Sequence, residues 1–177
     1  MKSLFEWVVI VAIAFVLSMV IRNYLIDTRI VPTGSMLPTI QLQDRLIVDR
    51  FFYKCGDIKR GDVIVFEAPE SIMKDEDLVK RVIGLPGEKL EVKNGKVYIN
   101  DQALDEPYVE YPADYEFGPV TVPDDSYFMM GDNRPASYDS HRWGALPEDK
   151  ILGRVWIRYW PLDRFGTLTK LPEDYLK

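Results

Sequence analysis

Ser35 lies in residues 31–39, Val-Pro-Thr-Gly-Ser-Met-Leu-Pro-Thr, where two prolines and a glycine preclude a regular element. Gly34 tolerates unusual dihedrals and close approach of another chain. Thr33 is placed to offer its hydroxyl, beside the Ser35 amide, to a developing oxyanion. Such a serine becomes a useful nucleophile only when a base takes its proton. Two bases compete for that role. His141, with Asp139 two residues earlier as orienter, would complete a Ser-His-Asp arrangement. Lys80 would serve instead if it were neutral, and burial among apolar groups favours the neutral amine. It sits in residues 78–83, Leu-Val-Lys-Arg-Val-Ile, where a strand puts it on one face with Leu78 and Val82. Lysine is almost never fully buried, so an inward Lys80 would be unusual.

A third polar cluster lies at residues 131–144, Gly-Asp-Asn-Arg-Pro-Ala-Ser-Tyr-Asp-Ser-His-Arg-Trp-Gly. Asp132, Asn133, Arg134, Ser137, Asp139 and Ser140 can bond one another and the backbone, and such a network can hold a distant pair of side chains in place. The segment reads as a long polar loop.

The elements that must position these groups read mainly as β structure. Candidate strands cover 45–50, 63–66, 78–83, 90–93, 96–100, 120–122, 127–130 and 151–160, and Asn94-Gly95 suits a type I′ hairpin turn. Gly153 allows a bend in the last strand. Residues 70–77 and 105–119 read as irregular. Regular strand spacing predicts an antiparallel sheet or barrel-like domain. Ahead of it, residues 4–21 are apolar apart from Glu6 and Ser18, close to the length that spans a bilayer as a helix, with Trp7 and Tyr24 at the two interfaces. No small-x-small cleavage site follows, so the segment reads as an uncleaved anchor. The expected division is an anchor over 1–24 and a β-domain over 25–177.

Composition excludes several classes. The 177-residue chain carries a formal charge of −6 and has no Lys/Arg cluster, which argues against a nucleic-acid partner. One cysteine, Cys55, forbids an internal disulfide, and with a single histidine it leaves little material for a structural zinc site. Cys55 lies in a turn-like Lys-Cys-Gly-Asp setting, a poor place for a sortase-like nucleophile.

Three blocks together resemble bacterial type I signal peptidases: 32–39 around Ser35, 80–88 (Lys-Arg-Val-Ile-Gly-Leu-Pro-Gly-Glu), and Gly131-Asp-Asn-Arg134 with Ser137, Asp139 and Ser140. They occur in the family's order behind an apolar N-terminus, and the 61–66 strand also fits. The resemblance implies a Ser-Lys dyad of Ser35 and Lys80, with Thr33 as oxyanion donor, Ser137 orienting the amine and Asp139 supporting the third block. It implies an apolar substrate wall of Val31, Ile40 and Val79, with Met129 or Met130, suited to Ala-x-Ala before the cut. It implies a small inserted β region over about 88–123, no metal or organic cofactor, and an extracytoplasmic catalytic domain at the plasma membrane acting on signal-peptide-bearing preproteins. An exposed apolar surface near the site would dip into the bilayer. One departure stands out: the family commonly has arginine directly after Asp-Ser, where this chain has His141 and then Arg142. A Ser-His-Asp hydrolase and a non-enzymatic anchored envelope domain are the competing readings.

Overall fold

A computed structural model describes residues 2–20, 25–69 and 76–168. The end of the expected anchor at Ile21 and Tyr24, and most of the expected 70–77 loop, lie outside the described residues.

Helix α1 (Lys2–Val20) occupies the apolar N-terminal run. Its side chains from Leu4 to Val20 are exposed around the whole circumference, as the lack of a polar stripe anticipates. Among the described residues no helix is long and apolar enough to cross a membrane.

The rest is antiparallel β structure. In chain order come β1 (Ile26–Ile30), β2 (Arg45–Asp49), β3 (Val63–Glu67), β4 (Asp77–Gly84), β5 (Lys89–Lys93), β6 (Lys96–Ile99), β7 (Gln102–Ala103), β8 (Phe117–Thr121), β9 (Ser126–Met130), β10 (Leu146–Pro147), β11 (Ile151–Trp160) and β12 (Gly166–Thr167). The larger sheet runs β1-β2-β11-β3-β4-β9-β10, with β12 on β11. The smaller runs β7-β6-β5-β8 and is built entirely from the chain between β4 and β9. The larger sheet is an open path rather than a closed barrel. The β5–β6 hairpin turns through Asn94 and Gly95, both at positive φ (51° and 75°), as a type I′ turn requires.

Three expectations need correcting. Residues 26–30, for which no strand is expected, form β1. Among the described residues this edge strand pairs with β2 alone, and its charged Asp27 and Arg29 hide the strand pattern. The strand expected at 120–122 starts earlier, at Phe117. The 131–144 loop contains a helical turn, α2 (Ser140–Trp143), because Asp139 caps it by accepting from the His141 amide.

Strand β4 is the hub. Leu78 and Val82 join a core cluster with Ile64, Phe66 and Met129. Ile83 joins a second, with Leu90, Phe128 and Met130. Val79 packs on a third, with Val31, Met36, Ile40 and Val65. With apolar groups on every side, the two basic residues between Val79 and Val82 are enclosed too: Lys80 is 3% exposed and Arg81 1%.

Candidate active site

Ser35 sits in a turn that β2 and the larger sheet hold in place. Val31 donates to the Asp44 carbonyl and Gln43 to the Val31 carbonyl, which closes the loop between β1 and β2. The Asp44 carboxylate, fully buried, accepts from the Gln41 amide and pairs with Arg164. Met36 and Ile40 anchor the turn in the core beneath. Gly34 does not adopt a positive φ, so the conformational freedom expected of it is not used.

Lys80 reaches this turn from β4. Its Nζ lies 2.6 Å from Ser35 Oγ, and both groups are buried. Burial pulls the Lys80 amine down from 10.5 to about 8, against the opposing pull of the Asp139 and Asp132 carboxylates. A neutral amine at this distance accepts the hydroxyl proton, which is what a base must do to make the serine nucleophilic.

The polar block from Gly131 onward closes over the pair. Asn133 donates its amide N–H to the Ser35 carbonyl and its side-chain Nδ2 to the Gly34 carbonyl. Gly131 is required by space: a Cβ there would collide with Ser137 Oγ and the Ser35 carbonyl oxygen. Asp139, fully buried, accepts from the Gly131 amide at 3.0 Å through one oxygen and lies 2.7 Å from His141 Nδ1 through the other. Ser140 Oγ accepts from the Met129 amide and fixes α2 to β9.

The structure brings Ser35, Lys80, Ser137 and Asp139 into one neighbourhood. Ser137 Oγ is buried and has no hydrogen-bond partner among the described residues, so it makes no bond to the Lys80 amine here. Thr33 is exposed. Val31, Ile40 and Val79 pack in one cluster with Met36, whereas Met129 and Met130 are buried in the other two clusters, away from them. His141 is committed to Asp139 and stacks on Tyr115, while the hydrogen-bond partner of Ser35 Oγ is Lys80, so no Ser-His-Asp relay is assembled. Cys55 ends a short 3-10 turn. Among the described residues no group of three or more His, Cys, Asp or Glu is placed to hold a metal.

One feature was missed. Arg81 and Asp132 form a buried bidentate pair, with Nε–Oδ1 at 2.8 Å and Nη2–Oδ2 at 2.6 Å. Arg81 also donates to the Gly61 carbonyl and lies 4.1 Å from the Tyr108 ring centroid. Burial works against the Arg81 charge, but Asp132, together with Tyr108 and Glu106, more than offsets it, and the guanidinium pKa is raised. The available signal was an arginine on a strand whose flanks are apolar on both faces, since such a charge needs a buried partner. Beside it, Arg134 pairs bidentately with Glu106, which joins the third block to the segment after β7.

A sequence profile of the family described as "Signal peptidase, peptidase S26" matches residues 4–160. The chain is 45% identical over 159 residues to a probable signal peptidase I-2 of Synechocystis, covering 88% of this chain and 73% of that protein. It is 44% identical to signal peptidase I of Leptolyngbya laminosa, covering 97% and 87%, and 36% identical to signal peptidase IB of Staphylococcus aureus, covering 93% of each. A crystal structure of a signal peptidase I from Enterococcus faecalis aligns with a TM-score of 0.50 at 31% identity, covering 56% of this chain and 97% of that one.

Proposed function

The chain belongs to the signal peptidase family, peptidase S26, and from that premise we propose that it cleaves signal peptides from exported preproteins with Ser35 as nucleophile and Lys80 as general base. The observation that carries the residue roles is the 2.6 Å approach of a buried, pKa-lowered amine to a single hydroxyl.

Ser35 Oγ attacks the scissile carbonyl carbon as its proton passes to Lys80 Nζ. The Ser35 amide and the Thr33 hydroxyl donate to the oxyanion. Collapse breaks the C–N bond, and the leaving amine of the mature chain takes the proton from Lys80. Water then attacks the acyl-enzyme with Lys80 again as base, which frees the signal peptide acid and restores Ser35. Asp139, through the Gly131 amide, and Ser137, packed against Gly131, support the pair from the third block. Val31, Ile40 and Val79 line the wall that accepts small side chains before the cut.

Helix α1, with the apolar Ile21 that follows it in sequence, is the membrane anchor in this reading. At about 1.5 Å per residue, its 19 described residues reach slightly less than the roughly 30 Å hydrocarbon core. Residues 25–177 form the extracytoplasmic catalytic domain, with 88–123 as the inserted smaller sheet. The Ser35 turn is tied to the exposed apolar end of β11, because Arg158 donates to the Thr39 carbonyl and Arg164 pairs with Asp44. Trp160, Leu162 and Phe165 are exposed there, and Ile30 lies in register at the same end through Arg45. That surface would rest in the lipid boundary where the substrate is held.

The test is cleavage of an Ala-x-Ala preprotein in detergent by wild type, Ser35→Ala and Lys80→Ala in parallel, with a pH profile of the wild type. Both variants should be inactive. The wild-type kcat/KM should climb about tenfold per pH unit below an inflection near 8 and level off above it. Cleavage by Lys80→Ala, or a flat profile into acid, would refute the assignment.

A further inference from the structure

His141 takes no part in the proton transfers just described, yet its surroundings are unusually well defined. With its proton on Nδ1 the ring donates to Asp139 at 2.7 Å. The Tyr115 ring stacks on it with centroids 4.1 Å apart and planes 15° from parallel, and Phe117 meets it edge-on at 6.5 Å. Phe117 opens β8 and Tyr115 lies just before it, so both rings belong to the small-sheet region rather than to the sheet that carries Lys80.

From His141 a continuous series of contacts leads to the nucleophile. The second Asp139 oxygen accepts from the Gly131 amide at 3.0 Å, and Gly131 is wedged against Ser137 and the Ser35 carbonyl with no space for a Cβ. The oxygen facing His141 also accepts from the His141 backbone amide at 3.3 Å, so the 2.7 Å ring contact is the shorter of two bonds that, with the Gly131 amide on the other oxygen, keep the buried carboxylate from rotating. Asp139 is also the strongest of the charges that oppose the neutral form of Lys80, so its placement bears directly on the base.

We propose that His141 is a positioning residue for the Ser35–Lys80 pair: its imidazole fixes the Asp139 carboxylate, and Tyr115 of the small-sheet region fixes the imidazole. The proposal rests on the dyad reading above. It gives the small sheet a task in catalysis, since an arginine at position 141 would supply a hydrogen bond to Asp139 without needing a ring beside it, whereas the imidazole is held by one.

The experiment measures kcat and KM of the full-length protein in detergent on an Ala-x-Ala preprotein. His141→Ala should lower kcat about tenfold while KM stays within about twofold, as expected for lost alignment rather than lost substrate contact. His141→Asn, whose amide can donate to Asp139 from nearly the same place, should recover most of the loss. Tyr115→Ala should lower kcat similarly and add nothing in the double variant with His141→Ala, because both act through one carboxylate. Tyr115→Phe keeps the ring and should retain more activity than Tyr115→Ala. Should His141→Ala fail to fold in a thermal melt, the Tyr115→Phe and Tyr115→Ala pair supplies the same comparison. Wild-type kcat in His141→Ala, equal losses in the alanine and asparagine variants, or additive losses with Tyr115→Ala would overturn the proposal. Ser35→Ala run alongside separates the two claims: cleavage that persists there defeats the dyad, while an inert Ser35→Ala with a fully active His141→Ala defeats only the positioning role.

Discussion

Lys80 is the residue at which stability and activity conflict. An amine with a pKa of about 8 in the fold and 10.5 in its unperturbed state is a cost to folding wherever the unfolded chain would hold the proton more tightly. The cost is fully present below about pH 8 and disappears as pH rises to 10.5. The difference corresponds to about 3 kcal/mol at neutral pH, taking 1.36 kcal/mol per pKa unit. Lys80→Met keeps the volume and removes the charge. It should therefore be inactive yet raise the melting temperature at pH 7 by on the order of 10 °C. That advantage over wild type should shrink steadily between pH 8 and 10.5. Thermal unfolding of both proteins across that range checks it, and a pH-independent difference would mean that packing, not the buried amine, sets the cost. Ser35 and Lys80 stand out in the sequence because each contradicts its surroundings, a serine in a proline-stiffened turn and a lysine in an apolar strand, but the choice of Lys80 over His141 as partner rests on the family resemblance. The Arg81–Asp132 pair was less legible. A strand pattern tells which face a side chain takes but not that both faces of β4 are buried, and that fact comes from the second and third clusters, which take Ile83 and Val79.

At the scale of elements, the site depends on how β4, the Ser35 turn and the 131–139 segment are joined, and Arg81–Asp132 is the strongest joint between the first and the last. Both side chains are essentially inaccessible, at 1% and 0%. Breaking one member leaves the other charged in a dry interior, which typically costs 3–5 kcal/mol, about what such single deletions give elsewhere. Asp132→Asn should thus lower the urea midpoint markedly, and Arg81→Met combined with Asp132→Leu should recover much of the loss because no lone charge remains. A double variant no more stable than Asp132→Asn would show that the Gly61 carbonyl and Tyr108 contacts of Arg81 matter more than the ion pair. The strands themselves were mostly readable from alternation and turn residues. Those that escaped have physical reasons: β1 is a charged edge, β7, β10 and β12 are two residues long, and α2 is a single turn whose only sequence signal is the capping Asp139. The sequence left an open sheet and a barrel both possible for a related reason, since strand spacing reports neighbours along the chain but not whether the first and last strands meet.

At the scale of the whole molecule, the formal charge of −6 constrains how the catalytic domain could meet a membrane. Anionic lipid would repel it, so on the proposal that α1 anchors the chain, any further adhesion of the domain would come from apolar contact rather than from basic patches. Trp160, Leu162 and Phe165 are 48%, 70% and 63% exposed at the end of the sheet to which the Ser35 turn is tied, and clustered exposed apolar groups of this kind mark an interaction surface. If this end lies in the lipid boundary, its role is to bring the Ser35 turn to the depth of a membrane-held cleavage site. Replacing all three residues with alanine should lower cleavage of a preprotein reconstituted with the enzyme in vesicles by about tenfold. Cleavage of a short soluble Ala-x-Ala peptide in detergent should change by about twofold or less, because the dyad and its supports are untouched. Added salt should not weaken the vesicle reaction of the wild type, as it would if charge attraction held the domain down. Equal losses on the two substrates would place these residues in folding or in the active site itself, and an unchanged vesicle rate would leave α1 as the sole attachment.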